Sequence, residues 1–265
     1  MSETLTLAAA AVLTAVLISA SVHDLRSREV PDVHWMVAGA AGILMMCASM
    51  FDGGVTIWRM MIVAGSAMIV ADILYDRERS VRIIVMTYAL MAAMFIIPLA
   101  VSYDDTFVKH SLAVPLCFIL FVMMFHTGVI KGGADVKCLI TVAVLFPMYP
   151  VMYGYPMIDA PSSIISDIIS FPIAVLFHAA LFSMTAVIPM AIRNIRRGDI
   201  QFPRMLSCYR MNAADVKNAH VWPAEDVNGS TDGRIWVTPK IPFIIPITVA
   251  VIFVMFIGNI LFAMV

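Results

Sequence analysis

Asp24, in the string SVHDLRSREVPD at 21–32, and Asp135, in GVIKGGADVKCL at 128–139, stand where long apolar stretches meet charged ones. An ionisable group at such a boundary is expensive to keep, and it is a functional candidate by default. Two carboxylates in one partly desolvated site do not both ionise cheaply, so they hold a single proton near neutral pH. Such a pair can activate water with one oxygen and protonate a leaving group with the other. The neighbouring residues suit that use. Gly132 and Gly133 let the backbone before Asp135 turn sharply and let an extended peptide come close. Pro31 keeps the chain after Asp24 from opening a helix with a free amide, and Arg26 and Arg28 anchor the segment in a headgroup layer. Taken singly, an Asp at a helix N-terminus is usually a cap and a Gly pair usually a turn. The case for chemistry rests on both acids lying on one face of the membrane.

The elements that must bring them together follow from composition. The 265 residues are 62% hydrophobic and 13% charged, with a mean hydropathy of +0.93, about half the charge of an ordinary soluble domain. Eight stretches, at about 5–22, 33–50, 55–74, 82–101, 111–130, 134–151, 168–192 and 242–263, are each long enough to cross a hydrocarbon core about 30 Å thick. No ten-residue alternation recurs, so these read as helices and not barrel strands. The fold class is therefore all-α: a polytopic membrane bundle of about eight helices with a small cytoplasmic loop subdomain. The first stretch lacks a basic leader and is expected to be a retained helix, not a signal peptide.

The loops at 23–32, 76–82, 131–137 and 193–240 hold 15 of the 17 basic residues. The positive-inside rule puts them, with Asp24 and Asp135, on the cytoplasmic side and both termini outside. This alternation requires an even number of crossings. Arg59, near the outer end of the third stretch, is expected to snorkel. The domain expectation is a bundle over 1–192, a cytoplasmic loop subdomain over 193–240 and a last helix over 241–265. The loop is too short for an independent core, and WPAEDVNGSTDGR within it suggests partly irregular structure packed on the membrane face.

Several features carry less. Cys47, Cys117, Cys138 and Cys208 are scattered singly, so no zinc site or disulfide framework is expected. The sequon-like Asn228-Gly229-Ser230 lies on the wrong side for glycosylation. Asp72 reads as a charge anchor for the basic loop 76–82, and His126 and His178 as hydrogen-bonded packing residues. A net charge of −1 gives no reason to expect nucleic acid as a partner, and neither a metal nor a cofactor is called for. Nothing in the sequence sets an oligomeric state.

The string from Asp24 to Asp32, DLRSREVPD, resembles the D-x-R-x-R-x-[IV]-P-[ND] segment of type IV prepilin peptidases. Gly132-Gly133-Ala134-Asp135 with Lys137 resembles their second motif, that of the GxGD membrane aspartyl proteases. WVTPKIPFIIPI at 236–247 resembles the approach to the last helix in the archaeal branch, whose members process preflagellins and related prepilins. The resemblance runs from the first helix to the last with matching order and sidedness. It implies that Asp24 and Asp135 are the catalytic pair, with Arg26, Arg28, Pro31, Gly132, Gly133 and Lys137 as supporting motif residues. It further implies a multi-pass protein of the cell membrane acting at the cytoplasmic face. The implied partners are the lipid bilayer and membrane-anchored prepilin or preflagellin precursors with short basic leaders. Asp199, Asp215, Glu225 and Asp226 are candidates for reading such a leader. No CxxC pair accompanies the motifs, so methylation of the new N-terminus is not implied. Two rivals stand beside it. A presenilin-like intramembrane protease should have a tyrosine beside its first acid and a Pro-Ala-Leu segment, whereas His23 precedes Asp24 and no PAL occurs. A proton-coupled transporter should keep its acids near the midplane of two repeated halves.

Overall fold

All eight apolar stretches contain helix, but they are not alike. The computed structural model describes residues 2–75, 78–161, 168–218, 221–224, 233–239 and 242–264. Arg77, Glu225, Asp226, Lys240 and the sequon at 228–230 fall outside them. Among the described residues six helices are long and apolar enough to cross a membrane. These are α1 (Glu3–Ser27), α2 (Val33–Asp52), α3 (Ile57–Leu74) and α4 (Val81–Val101), the pair α5 (Thr106–Ser111) and α6 (Ala113–His126) that runs as one span, and the span Phe171–Arg197. The last comprises α8 (Phe171–Ser183), a 3-10 turn and α9 (Val187–Arg197).

The fold is the all-α membrane bundle expected, and the other two of the eight stretches hold shorter helices. Both α7 (Gly133–Leu145) and α11 (Ile244–Phe256) have 13 residues, which rise about 20 Å. Pro147 explains where α7 stops. A residue before proline is pushed out of the helical region, and Phe146 sits at φ −131°, ψ 81°. Gly258, at φ 100°, turns the chain shortly after α11. These short helices are interior. Every residue of α7 from Cys138 to Leu145 is buried, whereas α4 leaves Val85, Met86 and Ile96 largely exposed, as suits a lipid-facing helix. Helix α7 packs on α2, α6, α3 and α11, and α11 also packs on α1. Where α2 meets α7, a Cβ on Gly42 would stand 3.0 Å from the Leu145 amide nitrogen, so a larger residue there would press the two helices apart.

Helix ends alternate, and the bundle therefore has two distinct ends. At one, Arg59 does not snorkel freely. Its Nε and Nη2 donate to Asp105 at 2.7 and 3.0 Å, and its Nη1 donates to the Gly54 carbonyl at 3.0 Å. At the other end lie the C-termini of α1, α3 and α6 and the N-termini of α2, α7 and α11.

The chain divides into two units, Met1–Ala179 with Ile244–Val265, and Ala180–Phe243. The second contains α9, α10 (Arg204–Ser207), β1 (Tyr209–Asn212), β2 (Val221–Pro223) and β3 (Arg234–Pro239). Its three described strands form an antiparallel sheet in the order β1-β3-β2, with Arg210 opposite Trp236 and Val221 opposite Pro239. Val221, Ile235 and Val237 make a small core joined by Tyr209, Met211, Ala213 and Val216. Buried Asn194 donates to the carbonyls of Met205 and Cys208 at 2.8 and 2.6 Å. Among the described residues of this unit a central strand with Ile235, Trp236 and Val237 all buried organises the sheet; most of the string WPAEDVNGSTDGR, residues 225–232, lies outside the described residues.

Candidate active site

Asp24 does not follow the first helix; it lies in the last two turns of it, since α1 runs on to Ser27. Its side chain is half-buried. The backbone N–H of Ile244, first residue of α11, donates toward it, and the guanidinium charge of Arg28 acts on it. Its Oδ2 is buried without a hydrogen-bond partner among the described residues. Contacts between α1 and α11 hold this arrangement. Ser21 Oγ and Thr248 Oγ1 are 2.8 Å apart, and Thr248 also donates to the Leu17 carbonyl.

Arg28 closes α1 in the left-handed region, at φ 59° and ψ 17°, with its N–H donating to the Asp24 carbonyl at 3.2 Å. Arg26 is exposed in the last turn of α1. Pro31 lies in the link to α2. Its carbonyl accepts from the His34 N–H at 3.2 Å and faces His34 Nδ1 at 3.0 Å, while His34 Nε2 is 3.0 Å from Ser19 Oγ. His34 thereby clips the link to α1. A lone histidine in the first turn of a helix gives no sign of this in sequence.

Asp135 stands in the first turn of α7, where the positive end of the helix dipole favours a carboxylate. Gly132, at φ −91° and ψ 121°, caps that helix and Gly133 opens it. Neither occupies the left-handed region, so the sharp-turn explanation for the pair is replaced by a different one. Gly128, at φ 73°, turns the chain after α6. A Cβ on Gly132 would stand on the Asp135 carboxylate, 2.9 Å from its Cγ, whereas one on Gly133 would meet nothing within 4 Å. Gly132 is small to make room for the acid.

The fold brings Asp24 and Asp135, 111 residues apart in sequence, within electrostatic reach of each other. The two motif segments are also tied directly: Lys137 Nζ and Asp32 Oδ1 are 2.8 Å apart. Asp32 was not among the expected site residues. Its signal was available, as an acid ending one motif and a lysine following the other.

Along the start of α7 and the link before α2 runs a cleft of about 790 Å³, lined by Glu29, Asp32, Asp72, Tyr75, His126 and Lys137 among others. Gly133 and Ala134 also line it; Asp24 and Asp135 do not. Asp72 accepts from Arg79 at 2.5 Å and from the Tyr88 hydroxyl at 3.3 Å, an anchor to the basic loop. His126 departs from the packing expectation, being exposed on the cleft with its ring 5.7 Å from that of Phe125. His178 is fully buried, with Nδ1 2.8 Å from the Ala174 carbonyl. Of the acids expected to read a leader, Asp199 is buried and paired with Arg234, and Asp215 accepts from Asn212. Among the described residues no group of three His, Cys, Asp or Glu side chains could hold a metal ion.

The chain is 24% identical to the preflagellin peptidase of Methanocaldococcus jannaschii over 267 residues, covering 92% of this chain and 91% of the relative. It is 26% identical to that of Methanococcus maripaludis over 265 residues, covering 92% of each. No protein-family model matches.

Proposed function

We propose that this chain, a multi-pass membrane protein of the archaeal preflagellin peptidase family, is an aspartyl endopeptidase that removes the short basic leader from preflagellin or prepilin-like precursors at the cytoplasmic membrane face. One observation carries the reading: the two acids of motifs 111 residues apart interact at one end of the bundle, in a chain that matches the two peptidases almost end to end.

Two carboxylates so coupled share one proton. The ionised one takes a proton from water, whose oxygen bonds to the carbonyl carbon of the scissile peptide. The protonated one delivers its proton to the leaving nitrogen as the C–N bond breaks. The leader leaves with a new carboxylate and the mature chain with a new amine, so water balances the reaction without covalent enzyme intermediate or cofactor. A precursor whose apolar helix lies in the bilayer presents its leader junction at the inner headgroup boundary, the depth of Asp24 and Asp135 in the positive-inside orientation.

Co-expression with a preflagellin or prepilin precursor tests this. Wild type should give the mobility shift of leader removal. Asp24→Asn and Asp135→Asn should insert and fold yet leave the precursor uncut, because an amide neither takes nor gives the proton. Processing retained in either variant would remove that residue from the mechanism.

A further inference from the structure

We propose that Arg28 is a catalytic residue of this same site, its Nη1 donating to the carbonyl oxygen of the scissile peptide and holding the negative charge that gathers there as water adds. This rests on the protease reading above and goes beyond it. Three observations of geometry meet at the residue. First, Arg28 takes a left-handed backbone, φ 59°, at the end of α1, a conformation that costs a non-glycine residue energy and persists where surrounding structure enforces it. Its N–H bond to the Asp24 carbonyl fastens it one turn beyond the acid. Second, Arg28 is half-buried and its buried Nη1 has no hydrogen-bond partner among the described residues. Third, Asp24 Oδ2 is in the same condition beside it, and the charge of Arg28 acts on that carboxylate.

A buried donor and a buried acceptor left unmade are costly, and each such group calls for a partner in the working state. Two ordinary uses of an arginine here do not fit. One that only anchors the segment in lipid headgroups keeps its charged head in water, as exposed Arg26 does. One that only neutralises an acid spends its donors on it, as Arg59 does on Asp105. Arg28 stands next to an acid with a donor to spare. A peptide carbonyl approached by water from Asp24 and Asp135 offers an oxygen that becomes more negative as the new C–O bond forms. A charge-assisted N–H aimed at it stabilises the transition state more than the ground state. When the C–N bond breaks, the oxygen's electron pair re-forms the C=O bond and the leaving nitrogen takes its proton from the protonated carboxyl, so Arg28 gains and loses no proton.

The experiment uses the full chain purified in detergent and a precursor substrate. Arg28→Gly keeps the turn, because glycine accepts positive φ freely. It should lower kcat by about 10²–10³, as loss of one oxyanion donor does, while KM moves by less than about threefold. Arg28→Lys, with the charge but not the fork, should recover only part of this. Guanidinium chloride at low millimolar concentration should then speed R28G by about tenfold over equal sodium chloride and leave the parent unchanged. Cleavage by R28G within about threefold of the parent, a deficit lying wholly in KM, or no gain from guanidinium would each overturn the assignment. Should R28G not fold, Arg28→Gln, measured identically, decides. These outcomes are separable from failure of the protease reading, in which the parent itself leaves the precursor intact or Asp24→Asn still cuts it.

Discussion

The glycine pair before Asp135 allows a sharp separation of roles, because the two positions differ in space and not in conformation. In Gly132→Ala the new methyl would lie 2.9 Å from Asp135 Cγ and closer still to Oδ2. Ordinary contact begins near 3.4 Å, so the carboxylate must withdraw by about 1 Å. The obstacle is the end of a short side chain and not backbone, so rotation about the Asp135 side-chain bonds relieves the clash at little cost in stability. With Asp135 in the proposed catalytic role the rate should suffer far more, since a misplacement of about 1 Å in a reacting group can cost about 10²-fold, equivalent to about 2.7 kcal/mol of transition-state stabilisation. Gly133→Ala meets nothing within 4 Å and starts a helix, where alanine is the better residue by up to about 1 kcal/mol. The assay is thermal unfolding of each purified variant together with kcat/KM on a precursor. The expected result is a Tm near the parent's for both, a loss of about 10²-fold for G132A, and less than about threefold for G133A. Equal loss in both variants, or full activity in G132A, would refute the claim that Gly132 is small to admit the acid.

Two further outcomes follow from paired charges at the two ends of the bundle. The Asp32–Lys137 pair is partly exposed, so removing either partner should change stability by about 1 kcal/mol or less. Asp32→Lys and Lys137→Asp should each lower processing several-fold, and the double exchange should restore most of it if the pair serves to hold the two motif segments in register. At the far end, the Arg59 guanidinium, donating two hydrogen bonds, holds the Asp105 carboxyl below the usual carboxylate range. A depressed folded value means stabilisation that is present above the unfolded value of about 3.9 and lost as pH falls through the folded one. Asp105→Asn should therefore lower Tm at pH 7 and flatten its fall below pH 4, as read by unfolding across a pH series; an unchanged acid limb would contradict this.

Much of this design is visible in the residues because charge is conspicuous in an apolar chain. Asp24 and Asp135 stand out for that reason, and the alternation of basic loops brings them to one face before any packing is known. What escapes notice is whatever depends on three-dimensional neighbours. Hydropathy reads α7 and α11 as crossings because a helix buried in protein on every side is as apolar as one facing lipid. Their shortness shows only in how soon Pro147 and Gly258 follow. Asp24 inside α1, and not after it, escapes because Leu25, Arg26 and Ser27 carry no stop signal; the helix ends only where Arg28 turns left-handed. The strands of the second unit hide in a segment whose turn-forming residues dominate its composition, although Ile235, Trp236 and Val237 together mark a strand covered on both faces.

The position of Asp24 poses an electrostatic difficulty that the neighbouring elements resolve. The last turns of α1 carry the negative end of its dipole, where a carboxylate is unfavourable, while Asp135 enjoys the opposite end of α7. Two features offset the disadvantage of Asp24: the first amide of α11 donates toward it and the charge of Arg28 acts on it. The short interior helices thus matter as bearers of N-termini, one presenting Asp135 itself and the other presenting an N–H to its partner. A full-length helix ending at the site and two half-length helices beginning there give one acid a favourable dipole and the other an unfavourable one with compensation. That asymmetry is what two chemically identical side chains need if one is to give a proton and the other to take it.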